Sequence, residues 1–356
     1  HSARWHPPHR RAIFQPLPSH QSSQPTPPTP PIAESGSLAA MLSPLLRETC
    51  TGRLSEITWF RSAWQAGGAS TGIATFELRP GRTVDAVVKL PVGPSEYRWT
   101  VGVGSCPADI DNHDGPTPRV LAAGNELGGY DLAWIVLEKL PGHPVSTTLD
   151  QPAIESLLQA AAEWYARAAK VQTLTPDDQP RREDWPELIA RCRHDVKDHG
   201  IAHSQRWNDA LRQIQRCLSR LTAVWDGRAI NTWCHGDLHP GNAMRRTGPG
   251  GERSGRCVLI DLALVHPGHW VEDALYLERL YWGKPELLCG VKPVSAMAKC
   301  RREVGMPTDG DYTLLANVRR VLMAATVPAF LEHEGHPKYV HAALEHLEKL
   351  IPIVSR

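Results

Sequence analysis

The chain has no run of about 18 to 20 apolar residues, the length a helix needs to cross a bilayer. No apolar segment stands near its N-terminus in the way a secretory leader requires, so neither a membrane span nor a signal peptide is expected. Its eight cysteines are scattered, with no repeated Cys-x-x-Cys. That spacing argues against a disulfide framework and suits reduced thiols in a cytoplasm. Excess charge is missing too. Lys plus Arg number 39 and Asp plus Glu 38, for a formal net charge of +1. Bulk attraction to nucleic acid or to an anionic membrane is therefore not expected. No internal repeat is present, and no Gly-x-Ser-x-Gly elbow of the kind a serine hydrolase uses.

What is present divides into three stretches. Residues 1–37 are dense in Pro, Gln, Ser, Thr and His, and read as a disordered leader with local polyproline II character. Residues 38–140 carry a short helix near 39–47. Strand-like runs follow at 57–60, 71–78, 84–90 and 133–138, broken by Gly and Pro clusters. They read as an antiparallel meander. Residues 141–356 switch to helical spacing, with Ile154, Leu157, Leu158, Ala161, Trp164, Tyr165 and Ala168 on one face. Further helices are expected over 186–196, 204–225, 271–282, 294–304, 312–330 and 338–350. A strand-rich N-terminal lobe followed by a helical lobe is an α+β layout of the protein-kinase-like, two-lobed kind.

The most specific string interrupts the helices. It is Cys234-His235-Gly236-Asp237-Leu238-His239-Pro240-Gly241-Asn242, followed about twenty residues later by an apolar run ending at Asp261. Phosphoryl transfer needs a carboxylate to receive the acceptor's proton, plus an amide and a second carboxylate to hold metal on the phosphates. Asp237, Asn242 and Asp261 fit those roles in that order. The Gly- and Pro-rich stretch 248–255 reads as a turn, folding the two segments into a hairpin that brings Asn242 to Asp261. Two oxygen ligands suffice for Mg2+, which leans on phosphate oxygens. His235 is expected at the catalytic loop, more as a buttress than as a participant in chemistry. Read as zinc ligands, Cys234, His235 and His239 lack a further matching cluster.

A nucleotide pocket should lie upstream. Gly67, Gly68, Ser70 and Thr71 could cradle phosphates with backbone amides and hydroxyls; the same residues also suit a plain hairpin turn. Lys89 closes an apolar strand one hairpin later, where a kinase places its phosphate-binding ammonium; a solvent-pointing strand-end lysine is the alternative. Glu96 is the nearest acid to hold it, and equally an acid favoured by a helix N-terminus. The strand ending at Glu138 drops through Leu140 into Pro141-Gly142. Backbone groups of Glu138 and Leu140 could meet an adenine edge there, unless this is an ordinary connection.

Together these residues resemble the aminoglycoside phosphotransferase and choline kinase family. The resembling positions are Gly67, Gly68, Ser70, Lys89, Pro118-Arg119-Val120-Leu121, Leu137 to Gly142, His235 to Asn242, Ile260-Asp261 and Glu272-Asp273-Ala274. The resemblance implies an ATP- or GTP-dependent phosphotransferase acting on a hydroxyl of a small molecule. It makes Asp237 the base, Asn242 and Asp261 the Mg2+ ligands, Lys89 the phosphate lysine and Asp273 a structural acid tying its helix to the catalytic loop. Two features depart from the pattern. Leu262-Ala263 follow Asp261 where many members have an aromatic residue and an acid, and the insert between Lys89 and Pro118 is rich in Gly, Asp and Asn. For the acceptor, Glu272, Glu278, Glu286 and Trp282 are candidates, or ordinary helix residues. A nucleotide-binding protein without catalysis is the competing reading. A protein kinase is a third, disfavoured because only about a dozen residues separate Asp261 from Asp273.

Overall fold

The computed structural model describes residues 32–33, 37–61, 69–104, 115–180, 182–198, 200–246, 255–308 and 310–355. Most of the expected leader, and both Gly67 and Gly68, lie outside the described residues. The N-terminal part is one six-stranded sheet. Its strands are β1 (Ile32–Ala33), β2 (Thr58–Arg61), β3 (Ser70–Arg79), β4 (Arg82–Leu90), β5 (Val120–Gly124) and β6 (Trp134–Glu138), with α1 (Leu38–Thr49) and α2 (Pro94–Gly104) between them. Ile32 and Ala33, read with the leader, pair with Arg61 and Phe60.

The sheet is antiparallel, but its order is β1-β2-β3-β4-β6-β5, so the simple meander is corrected at one place. The physical reason lies in burial. Trp134, Ile135, Val136 and Leu137 are all buried and suit a strand with neighbours on both sides. The Val-Leu-Ala-Ala-Gly run of β5 is only half-buried along its length, and takes the edge. The β3–β4 register sets Thr71 opposite Lys89 and Ser70 opposite Leu90. Of the expected phosphate-side residues, Thr71 therefore faces the lysine across one hairpin, and Ser70 stands one residue before it.

The rest is mainly helical: α3 (Gln151–Val171), α4 (Trp185–Asp198), α5 (Ser204–Asp226), α6 (Val271–Leu280), α7 (Pro293–Glu303), α8 (Tyr312–Ala325), α9 (Leu331–Glu334) and α10 (Pro337–Val354). Short strands interrupt it, namely β7 (Thr232–Cys234), β8 (Ala243–Arg245), β9 (Cys257–Leu259) and β10 (His266–Gly268). Asp150 caps α3 by accepting from the Ala153 amide at 2.8 Å. The predicted stripe of α3 is buried throughout. One core gathers α3, α6, α7 and the β8–β9 hairpin, and a second gathers α4, α5, α8 and α10. Among the described residues no helix is long and apolar enough to cross a membrane.

Helix α2 joins the two parts. It follows the sheet in sequence, yet its Trp99 is buried in the helical core, 4.7 Å from the Trp233 ring and 6.1 Å from that of Trp164. Trp99→Ala should cost about 3–5 kcal/mol of unfolding free energy by denaturant titration. Tyr130→Ala, at a side chain 63 % exposed, should cost less than about 0.5 kcal/mol.

Candidate active site

The loop between β7 and β8 is held from behind by one carboxylate. Asp273, in the first turn of α6 and 1 % exposed, accepts from the His235 amide at 2.6 Å, the Gly236 amide at 2.9 Å and the Tyr165 hydroxyl at 2.8 Å. Gly236 has φ +84°, and a Cβ there would lie 2.2 Å from the Leu264 carbonyl oxygen, so only glycine fits. His235 is fully buried. Its Nδ1 accepts from the Asp237 amide at 3.3 Å, and its Nε2 lies 3.2 Å from the Ile260 carbonyl, which fixes Nε2 as the protonated nitrogen. Burial lowers its pKa, leaving the ring neutral. Both ring nitrogens are thus spent on the loop and on the strand end before Asp261, the place of a buttress.

Asp237 sits at the centre, 6 % exposed. Its Oδ2 accepts from Asn242 Nδ2 at 2.8 Å and lies 3.6 Å from His239 Nε2. Its Oδ1 accepts from the Tyr276 hydroxyl. Burial pushes this carboxyl's pKa up, but the hydrogen bonds from His239 and Tyr276 and the nearby imidazoles outweigh it, for a net lowering. The β8–β9 pairing sets Ala243 opposite Leu259, and the Ile260 amide donates to the Asn242 carbonyl at 2.9 Å. The hairpin therefore brings Asp261 beside Asn242, as its sequence suggests. Asp261 is exposed and adopts φ +63°, a left-handed turn that ends the strand and re-aims the chain. With Asn242 Nδ2 pinned to Asp237, its Oδ1 is the branch left for a ligand. An amide oxygen beside an exposed carboxylate is an oxygen-only donor set, which fits Mg2+ and does not fit zinc.

On the sheet, Lys89 forms an ion pair with Glu96 in the first turn of α2. Burial works against the lysine's charge. Glu96 and the more distant Asp261 overcome it and raise its pKa. The two readings of Glu96 thus coincide: it is a helix-start acid and the partner of the lysine. Ser95 Oγ reaches the Leu262 carbonyl at 3.5 Å, joining α2 to the segment after Asp261. At the connecting strand, the Glu138 amide is already donated to the Arg119 carbonyl at 3.0 Å, and its carboxylate takes Arg246 at 2.5 Å. Of Glu138's backbone groups, this leaves the carbonyl for a base edge. Leu140 is buried two residues on.

Of the three acids expected at the acceptor, Glu272 and Glu278 are drawn into ion pairs within the protein. Glu278 holds Arg320 through two bonds of 2.6 and 2.7 Å. Glu272 accepts from Arg228 at 3.0 Å, from the His269 amide at 2.8 Å, and faces His266 at 3.5 Å. Trp282 is buried against Tyr339, and Glu286 is exposed in the turn Pro285–Leu288. The sequence reading missed Tyr276, Tyr165, His266 and Arg228. Only Tyr276 left a signal, standing one helical turn after Asp273 and so on the same face.

The chain matches the APH phosphotransferase enzyme family over residues 108–288. It belongs to that family. No curated protein sequence matches it. Among solved structures, this APH-family protein is similar to an aminoglycoside phosphotransferase from Alicyclobacillus acidocaldarius, with 14% identity, 85% of this chain and 92% of that one covered, and a TM-score of 0.49. It is also similar to a choline kinase from Cryptosporidium parvum Iowa II, with 12% identity, 89% and 97% covered, and a TM-score of 0.45.

Behind the loop of this APH-family protein, His266 presents Nδ1 to the Leu264 carbonyl at 3.0 Å and Nε2 to Glu272, so both nitrogens act as donors only in the imidazolium. Burial opposes that charge, but Glu272 prevails and raises the His266 pKa above 6.5. Burial likewise opposes the Glu272 charge, but His266 and Arg228 bring its pKa from 4.5 to about 2. The histidine's stabilisation is full below its unfolded value and fades as pH rises through its folded one. The carboxylate's is full above its unfolded value and fades as pH falls toward about 2. The contribution of this pair to unfolding free energy should therefore be highest between pH 4.5 and 6.5 and decline above it. His266→Gln should flatten the decline on the alkaline side, as measured by denaturant titration across pH.

Proposed function

We propose that this protein transfers the γ-phosphoryl group of ATP or GTP to a hydroxyl of a small molecule. The observation that carries the proposal is the convergence on Asp237. A buried carboxylate is oriented by Asn242, and the same hairpin sets Asp261 beside that asparagine, facing Lys89 from the sheet. Lys89, kept charged by Glu96, would bind nucleotide phosphates, with Thr71 opposite it in the sheet and Ser70 adjacent to Thr71. Gly67 and Gly68 are proposed to complete the phosphate turn. The Glu138 carbonyl and the Leu140 amide would meet the base edge. Asn242 Oδ1 and the Asp261 carboxylate would hold Mg2+, which when bound neutralises charge on the β- and γ-phosphates. Asp237 orients the acceptor hydroxyl and takes its proton. His235 keeps the loop in shape and stays outside the chemistry. The seven described cysteines are free, in keeping with a reducing, cytoplasmic setting.

Asp237→Ala should lower transfer by about 10²–10⁴-fold and leave nucleotide affinity nearly unchanged. The measurement is label transfer from γ-labelled nucleotide to a broad panel of hydroxyl metabolites. Transfer by the variant at the wild-type rate would remove Asp237 from the chemistry. Nucleotide binding by the wild type without transfer to any panel member would favour a non-catalytic nucleotide-binding protein.

A further inference from the structure

The Tyr276 hydroxyl donates to the one oxygen of Asp237 that the acceptor needs. Oδ2 is committed to Asn242 Nδ2 at 2.8 Å and faces His239 Nε2 at 3.6 Å. Oδ1 is the oxygen not engaged by the loop, and an incoming hydroxyl that delivers its proton there meets the phenol. With Asp237 6 % exposed, little of the carboxylate is left open beside that ring. The arrangement is also registered to the loop. Tyr276 stands one turn after Asp273 on α6, and Asp273 holds the amides of His235 and Gly236, so helix and base are tied as one piece. The side chain itself is half-buried, with the Arg279 guanidinium 5.9 Å from its ring centre, and rotation about its own torsions would not require the helix to move.

We propose that Tyr276 is a removable plug on the acceptor seat of Asp237, keeping water off the base until an acceptor hydroxyl displaces the phenol. The inference rests on the phosphotransfer reading. A nucleotide bound beside an open base would lose its γ-phosphoryl group to water. In that side reaction the water oxygen bonds to the γ-phosphorus and the bond from phosphorus to the β–γ bridging oxygen breaks. The nucleoside diphosphate then leaves, and the water's proton passes to the Asp237 carboxylate. A phenol at Oδ1 occupies the water's place. Tyr276→Phe deletes one oxygen atom and opens a gap of about one water at Oδ1.

The test needs no acceptor. Wild-type protein, Tyr276→Phe and Tyr276→Phe/Asp237→Asn are incubated with Mg2+ and ATP or GTP. Inorganic phosphate release is followed, with nucleotide affinity by calorimetry and folding by thermal melting as companions. Tyr276→Phe should release phosphate about tenfold faster or more, part of the roughly hundredfold and upward that a positioned base supplies. Nucleotide affinity should be unchanged within about twofold, and the double variant should return to the wild-type rate or below. Tyr276→Leu is read the same way should the phenylalanine variant fail to fold. Release that does not rise while nucleotide still binds would overturn the plug. Labelled phosphate appearing on Tyr276 itself would overturn it too, since the phenol would then be an acceptor. Wild-type protein that binds neither nucleotide would instead remove the phosphotransfer reading, a result the calorimetry separates from the first.

Discussion

The Asp273 carboxylate is the contact on which the rest of the site depends. It gathers two backbone amides of the loop between β7 and β8 and the hydroxyl of Tyr165 from α3. The His235 amide is buried and the Gly236 amide half-buried, and leaving the buried one unpaired would cost about 1–3 kcal/mol. Once they are pinned, Gly236 must take a positive φ and the chain must pass hard against Leu264. Asp237 is then delivered to one point, and Asn242, closing the loop five residues later, can reach it. Supported this way, the loop gains the rigidity that a reacting carboxylate requires.

A second constraint fixes the two parts of the chain to each other. Helix α2 carries Glu96, which holds Lys89 of the sheet, and Trp99, which is buried among Trp164 and Trp233 of the helical core. Trp164 in turn lies edge-on to His235, with ring centroids 6.1 Å apart. Packed aromatic rings therefore run from the helix that holds Lys89 to His235 of the loop that carries Asp237. Spacing between the lysine and the hairpin is set by this packing as much as by charge.

Much of this is legible in the sequence because its signals are local. The His235 to Asn242 string, the apolar run into Asp261 and the stripe of α3 each carry their meaning within a few residues. The antiparallel sheet and helical remainder follow from periodicity. The place of β6 inside β5 does not, since strand order depends on which run has two faces to bury. The ion pairs are hidden for a different reason. Arg228 and Glu272 stand 44 residues apart, and nothing in either neighbourhood names the other. Glu272 and Glu278 read as candidates for a substrate when their partners are protein cations. Tyr276 shows the limit most clearly. Its spacing from Asp273 places it on the right face of α6, but only the folded loop shows which carboxylate oxygen it meets.

In the proposed reaction, one loop and one hairpin would build a single phosphate-and-metal site around Asp237. Its most direct measurement is a crystal of the protein with a non-hydrolysable nucleoside triphosphate and Mn2+, read by anomalous scattering. The account predicts the metal between Asn242 Oδ1 and the Asp261 carboxylate, with the phosphates extending toward Lys89. Metal and phosphates bound away from both residues would contradict it.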